Sequence, residues 1–163
     1  IGPPINGQYH LGATFNPANT SSKCTTEDHL TNLENISGLA PSVANLLAFD
    51  NLDMEALQGR VGFRTTSSDY LPLVGPVPDY SAYIQDYAPL RKDARVKLSA
   101  PASYFAGLYI TTGHGSKGLA SAPLSGELIA SYIGHTPAPI GTGLAHALHP
   151  GRFIIRDLIR NKI

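Results

Sequence analysis

The stretch GLYITTGHGSKGLASAPLSGELIASYI, residues 107–133, decides how this chain is read. Its opening, GLYITTGHG, is short, β-branched and aromatic, which is the composition of a strand. It runs into a loop with glycines at 113, 115 and 118. Beyond the loop, Leu124, Leu128, Ile129, Tyr132 and Ile133 fall on one helical face, with Pro123 tolerable in a first turn and Gly134 as the stop. The pattern predicts a strand, glycine loop, helix unit. In such a unit bare backbone comes close to a ligand, and the first N–H groups of the helix favour an anion. The letters GHGSKG match GxGxxG, but that fingerprint opens a βαβ unit with an acidic residue about 20 residues further on. Here Glu127 lies inside the following helix, and the glycine spacing ahead of Lys117 is not that of a phosphate-binding P-loop. A plain tight turn satisfies the same letters.

Upstream, GRVGFRTTSSDYLPLVG covers residues 59–75. Alternation predicts a strand over 56–66, with Leu57, Val61 and Phe63 in one register and Gly59 and Gly62 marking a bulge or close approach. Arg60 and Arg64 then share a face. A guanidinium is always charged and presents a planar fork suited to a carboxylate; Arg64 fits ligand capture and a structural pairing with Asp69 or Asp79 equally well. Residues 67–79 carry three prolines and are expected to run extended, in turns or edge-like segments.

Further out, 7–15 reads as a strand, 16–24 as a loop, 26–38 and 41–49 as helices, 80–92 as a weak helix, 135–143 as a loop, and the segment from 150 as a terminal helix. Along that last helix Arg152, Arg156 and Arg160 recur every four residues, with Lys162 nearby. Such a stripe suits phosphates; it is also the ordinary basic complement of a helix C-terminus. His146 and His149 have metal-ligand spacing without a third ligand, and His114 sits inside the glycine loop as a proton carrier or a plain loop residue.

Whole-chain properties exclude several classes. Lys plus Arg and Asp plus Glu are twelve each, so no overall field draws the chain to nucleic acid or an anionic membrane. The apolar runs fall short of the roughly 20 residues that span a bilayer. One cysteine, Cys24, excludes an internal disulfide and a thiolate zinc cluster. A soluble protein in the cytoplasm is expected, and the opening at Ile1 reads as a piece of a longer chain.

The motifs resemble a known family in order and distance. GATF near the start, an R-x-G-x-R segment, the D-x-L-P-x-x-G turn, the G-x-G-S-[RK]-G-L loop and the closing LHPGRFIIRDLIR are similar to the C-terminal portion of the D-amino-acid-oxidase-like flavoproteins. The VPD extension and the P-G-R ending resemble the branch that modifies the wobble uridine of tRNA. Lys117 departs from the arginine usual there.

The resemblance implies a partial α+β fold: an antiparallel sheet of the substrate domain with helices over 1–106, then the last strand, glycine loop and helices of the FAD domain over 107–163. It implies FAD as cofactor, with Gly113, His114, Gly115, Ser116, Lys117, Gly118 and Leu119 facing the flavin. Arg64 becomes the catalytic clamp on a substrate carboxylate, with Arg152, Arg156 and Arg160 contacting tRNA. The implied reaction oxidises the carboxymethylaminomethyl group of the uridine at its C–N bond. The rest of the FAD domain and a methyltransferase domain are implied in the same polypeptide. An isolated fragment would then be inactive, with exposed apolar faces that favour self-association. A free glycine or small amino-acid oxidase and a non-catalytic binding module are the alternatives.

Overall fold

The computed structural model describes residues 1–17, 19–98 and 101–163, which fall into two compact units, Ile1–Phe63 and Arg64–Ile163. Of the expected loop over 16–24, residue 18 lies outside the described residues.

The first unit is helical. Helix α1 (Thr26–Leu39) starts where Thr25 accepts the backbone N–H of Asp28, a side-chain cap that satisfies a donor the helix leaves open. Helix α2 (Pro41–Leu46) follows, with proline in its first turn and a short 3-10 turn over Phe49–Asn51 behind it. Two expected strands do not form. Residues 7–15 contribute only the Ile5–Gln8 bridge, and no ladder runs through 56–66. Strand-prone residues without a neighbouring strand have nowhere to place their N–H and C=O groups, so alternation alone does not make a strand. The GATF segment is instead tied to α1: Thr14 donates to Asp28 Oδ1 at 2.7 Å, while Thr25 donates to Oδ2 at 2.6 Å.

The second unit has a two-stranded antiparallel sheet. Strand β1 (Leu73–Pro78) pairs with β2 (Tyr104–Thr112) from Leu73↔Thr112 to Pro78↔Tyr104, with an irregularity between Pro76 and Pro78. The proline-rich segment thus runs extended, as anticipated. β2 begins three residues before Gly107 and ends at Thr112, leaving Gly113 for the turn. Helix α3 (Tyr80–Asp86) is capped by Asp79, which accepts the Ala82 N–H at 3.1 Å. Helix α4 (Gly118–Gly134) starts earlier than its apolar stripe, so Pro123 lies inside it. There the missing N–H leaves the Leu119 carbonyl without its usual donor. Helix α5 (Thr142–Leu148) occupies ground expected to begin as a loop, and α6 (Arg152–Ile159) closes the unit.

The core lies between the sheet and these helices. Val74, Leu128 and Leu158 are completely buried, and Tyr83 nearly so. Each such side chain contributes about 1.5–3 kcal/mol relative to exposure. Tyr83 stacks on Tyr87 and lies against Tyr104 and His149. Gly151 is required beside it, because a Cβ there would stand 2.7 Å from the Tyr83 ring. Together the sheet and helices make a partial α+β fold.

Candidate functional site

The turn between β2 and α4 carries the chemistry-bearing residues. Gly113 and Gly115 have φ of 72° and 57°, the left-handed region that glycine enters without steric cost. Gly113 is buried against the backbone of the preceding segment: a Cβ would lie 3.6 Å from Ser67 N and 3.9 Å from Pro72 Cα. Gly115 donates its N–H to the Thr65 carbonyl at 3.2 Å, and Thr66 and His114 form an isolated bridge. Residues 65–73 are therefore the floor on which the glycine loop rests.

His114 staples the loop from both ends. Its Nε2 lies 2.9 Å from Thr111 Oγ1 on β2, and its Nδ1 lies 2.8 Å from Ser121 Oγ on α4. Ser121 has one proton, and it donates to the Lys117 carbonyl at 3.0 Å. Nδ1 then donates to Ser121, while Nε2 is hydrogen-bonded to Thr111 Oγ1. With both nitrogens engaged, His114 braces the loop between β2 and α4. Thr111 and Ser121 were not among the residues singled out from sequence; their signal, three before and seven after the histidine, is too ordinary to stand out.

No side chain caps α4. Its first turn presents backbone N–H groups, and Lys117 adds a cation at the end where the helix is already positive. Leu119, beside them, is fully exposed. A positive rim next to an apolar side chain, on backbone that approaches closely because it is glycine, fits the polar edge of a flavin ring. Gly113, Gly115, Ser116, Lys117, Gly118 and Leu119 are the residues that would hold it, with His114 bracing them.

The arginines separate into distinct roles. Arg64 is exposed and directly precedes Thr65 and Thr66, the residues bonded to the loop. Arg152 is committed elsewhere: Nε donates to Asp69 Oδ2 at 2.9 Å and Nη2 to Oδ1 at 2.8 Å, a bidentate pair. Its remaining donors reach the carbonyls of Leu71 (2.8 Å), Pro72 (3.1 Å), Leu148 (3.1 Å) and His149 (3.4 Å). Every Arg152 nitrogen thus has a partner within the protein, unlike the outward stripe expected from its spacing. Every four residues defines a helix face, and here the first turn of that face is turned onto protein. Asp69 is correspondingly held well below the usual carboxylate range, first by the Arg152 hydrogen bonds. Arg156 lies over the Phe153 ring, 4.5 Å from its centroid, with Asp157 at 3.7 Å. Arg160 is exposed, while Arg156 is partly exposed, with 38% of its side chain accessible.

His149 packs inside the aromatic cluster. Its Nδ1 accepts the Gly151 N–H at 3.0 Å, while Nε2 is buried and has no hydrogen-bond partner among the described residues. Burial pushes its pKa down from 6.5 to about 4, helped by His146 and Arg152. Among the described residues no group of His, Cys, Asp and Glu is arranged to hold a metal ion, and no helix is long and apolar enough to cross a membrane.

Comparison with known proteins places the sequence in a family. The FAD dependent oxidoreductase family matches residues 1–132. Over 99% of its length the chain is 44% identical to the tRNA 5-methylaminomethyl-2-thiouridine biosynthesis bifunctional protein MnmC of Pseudomonas putida, and 43% identical to that of Pseudomonas aeruginosa. The Stutzerimonas stutzeri protein of the same name is 43% identical over 98% of the chain. The chain spans about a quarter of the length of these relatives. With the family match running through the glycine loop and most of α4, this chain belongs to the FAD dependent oxidoreductase family.

Proposed function

We propose that this chain is part of an FAD-dependent oxidase that acts on tRNA in the cytoplasm. In this reading it removes the carboxymethyl group from 5-carboxymethylaminomethyluridine at the wobble position, releasing glyoxylate and leaving aminomethyluridine. The observation that carries the reading is the 44% identity to an MnmC protein over 99% of the chain, which runs through the glycine loop at the start of α4. In the parent protein residues 1–106 belong to the substrate domain and 107–163 to the FAD domain. The remainder of the FAD domain and a methyltransferase domain lie in the same polypeptide and cover apolar side chains such as Leu119.

When bound, FAD supplies the electron acceptor for oxidation of the C–N bond. The chain's own residues do the rest by positioning and charge. Arg64 holds the substrate carboxylate, which fixes the carbon beside the nitrogen. The N-terminus of α4 would stabilise negative charge on the edge of a bound ring. The amine is bound neutral, so no side-chain base is required. Arg160, with Lys162, supplies a minor contact to tRNA phosphate; Arg156 contributes less because its guanidinium lies over Phe153. The isolated chain is inactive and self-associates through its uncovered faces.

The test uses the full-length protein and tRNA carrying the carboxymethylaminomethyl group. Glyoxylate release is expected, and Arg64→Ala is expected to lower it about 10- to 100-fold, the worth of a charge-assisted hydrogen bond at a carboxylate. Release unchanged by Arg64→Ala would remove the clamp from the mechanism. Peroxide formed from free glycine without tRNA would reassign the enzyme to small amino acids.

A further inference from the structure

The segment that supports the glycine loop is itself tied down by one side chain from the far end of the chain. Within residues 67–72, Ser67 Oγ lies 2.8 Å from Asp69 Oδ1 and 2.6 Å from the Leu71 carbonyl. Leu71 donates its N–H to Asp69 Oδ1 at 3.2 Å, and Tyr70 donates its own to the Ser67 carbonyl at 3.1 Å. Tyr70 takes φ of 59°, a conformation that bulky residues avoid and that surrounding structure must enforce. Into this closed turn Arg152 delivers four hydrogen bonds: two to Asp69, one to Leu71 and one to Pro72. Its other two reach the carbonyls of Leu148 and His149, at the end of α5. The guanidinium thus fastens the turn to the α5–α6 junction, with only 12% of its side chain exposed.

The same turn meets the loop on its opposite side. Gly113 packs on Ser67 N, Leu73 N and Pro72 Cα, and Gly115 is bonded to Thr65 with Thr66 Cγ2 3.3 Å from where its Cβ would be. A shift of 67–72 therefore moves the floor under Gly113 and Gly115, and with it the direction in which α4 presents its first amides. We infer that Arg152 is a positioning residue, whose fork on Asp69 and the 71–72 carbonyls sets the placement of the flavin-facing loop from the C-terminal helix. This inference rests on the reading of Gly113–Leu119 as the flavin-facing segment. It differs from that reading in naming a residue that touches neither cofactor nor substrate.

The consequence is electrostatic. If α4 is misaimed, negative charge on the reduced ring is less well stabilised and the flavin's midpoint potential falls. The measurement is the two-electron midpoint potential of the flavin in the full-length protein, alongside the melting temperature. Arg152→Lys keeps the charge but loses the planar fork. It is expected to shift the reduced-to-oxidised ratio about tenfold toward oxidised, which is about 30 mV lower for two electrons. Asp69→Asn, a milder change that retains the Ser67 and Leu71 contacts, is expected to move the potential the same way by less. It keeps the test open if Arg152→Lys fails to fold. Leu158→Ala, chosen in α6 away from the latch, is the control for general destabilisation. A potential that falls as far in Leu158→Ala as in the latch variants, at equal loss of melting temperature, overturns the positioning role. So does a potential unmoved in both latch variants. Gly115→Ala separates this inference from the one beneath it. If Gly115→Ala leaves the potential unchanged, the loop does not face the flavin and both readings fall. If it shifts the potential while Arg152→Lys and Asp69→Asn do not, only the latch falls.

Discussion

The β-prone segment 7–15 of Ile1–Phe63 and the alternating segment 56–66 that begins there form no ladder, whereas in Arg64–Ile163 the proline-bearing Leu73–Pro78 pairs along its length with Tyr104–Thr112. The better strand sequences lost to the poorer one because only the poorer one has a neighbour. Burial divides the same way. Among the described residues Ala44 is the buried apolar residue of the first unit, while Val74, Tyr83, Leu128 and Leu158 are sealed in the second. The contrast teaches that partner supply, not local propensity, decides which extended segments of this chain become a sheet.

The sharpest way to break that contrast is to remove core side chains. Leu128→Ala in the second unit is expected to cost about 2–5 kcal/mol, read as lost protection of α4 amides in native-state hydrogen exchange. Leu33→Ala, half-buried in α1, is expected to cost under about 1.5 kcal/mol. Equal losses would mean the two units are equally packed. Glycine substitutions sharpen the contrast further. Gly151→Ala drives a methyl into Tyr83 and is expected to cost about 1–3 kcal/mol. Gly38→Ala meets nothing within 4 Å and lies inside α1, so it is expected to stabilise that helix by about 0.5–1 kcal/mol. A destabilising Gly38→Ala would reveal packing on α1 that its exposure does not suggest.

The smallest effect is a pH dependence confined to the second unit. The folded pKa of His149 lies below its ordinary value, so between about 4 and 6.5 the unfolded state binds the extra proton. Its contribution is fully present above 6.5 and is lost as pH falls toward 4. About 1 kcal/mol is expected once solvent screening of the partly exposed ring is counted. His149→Phe, which keeps the ring against Tyr83, should remove that portion of the slope in a melting-temperature series. An unchanged slope would assign it to other groups.

What could be read in advance follows from range. Helix starts are local: Thr25 before Thr26 and Asp79 before Tyr80 announce α1 and α3 by chemistry within four residues. The Gly113–Leu119 turn was legible for the same reason, since glycines between a β-rich run and an apolar helix stripe define it. Helix α5 was missed as Gly141 offers no capping side chain, and the stretch before it is rich in glycine and proline. The Arg152–Asp69 pair spans 83 positions, and nothing near either residue indicates the other. Asp69 was read as a candidate partner for Arg64 because Arg64 is near in sequence, and spacing along α6 suggested an outward stripe because periodicity names a face without saying what lies against it.

The prolines of β1 give the small sheet a direction of growth. Pro76 and Pro78 have no N–H to offer, while Tyr104–Thr112 contains no proline and keeps a donor at every residue. A strand laid along the free edge of β2 would therefore meet no proline, whereas β1 brings two donorless positions to whichever edge they face.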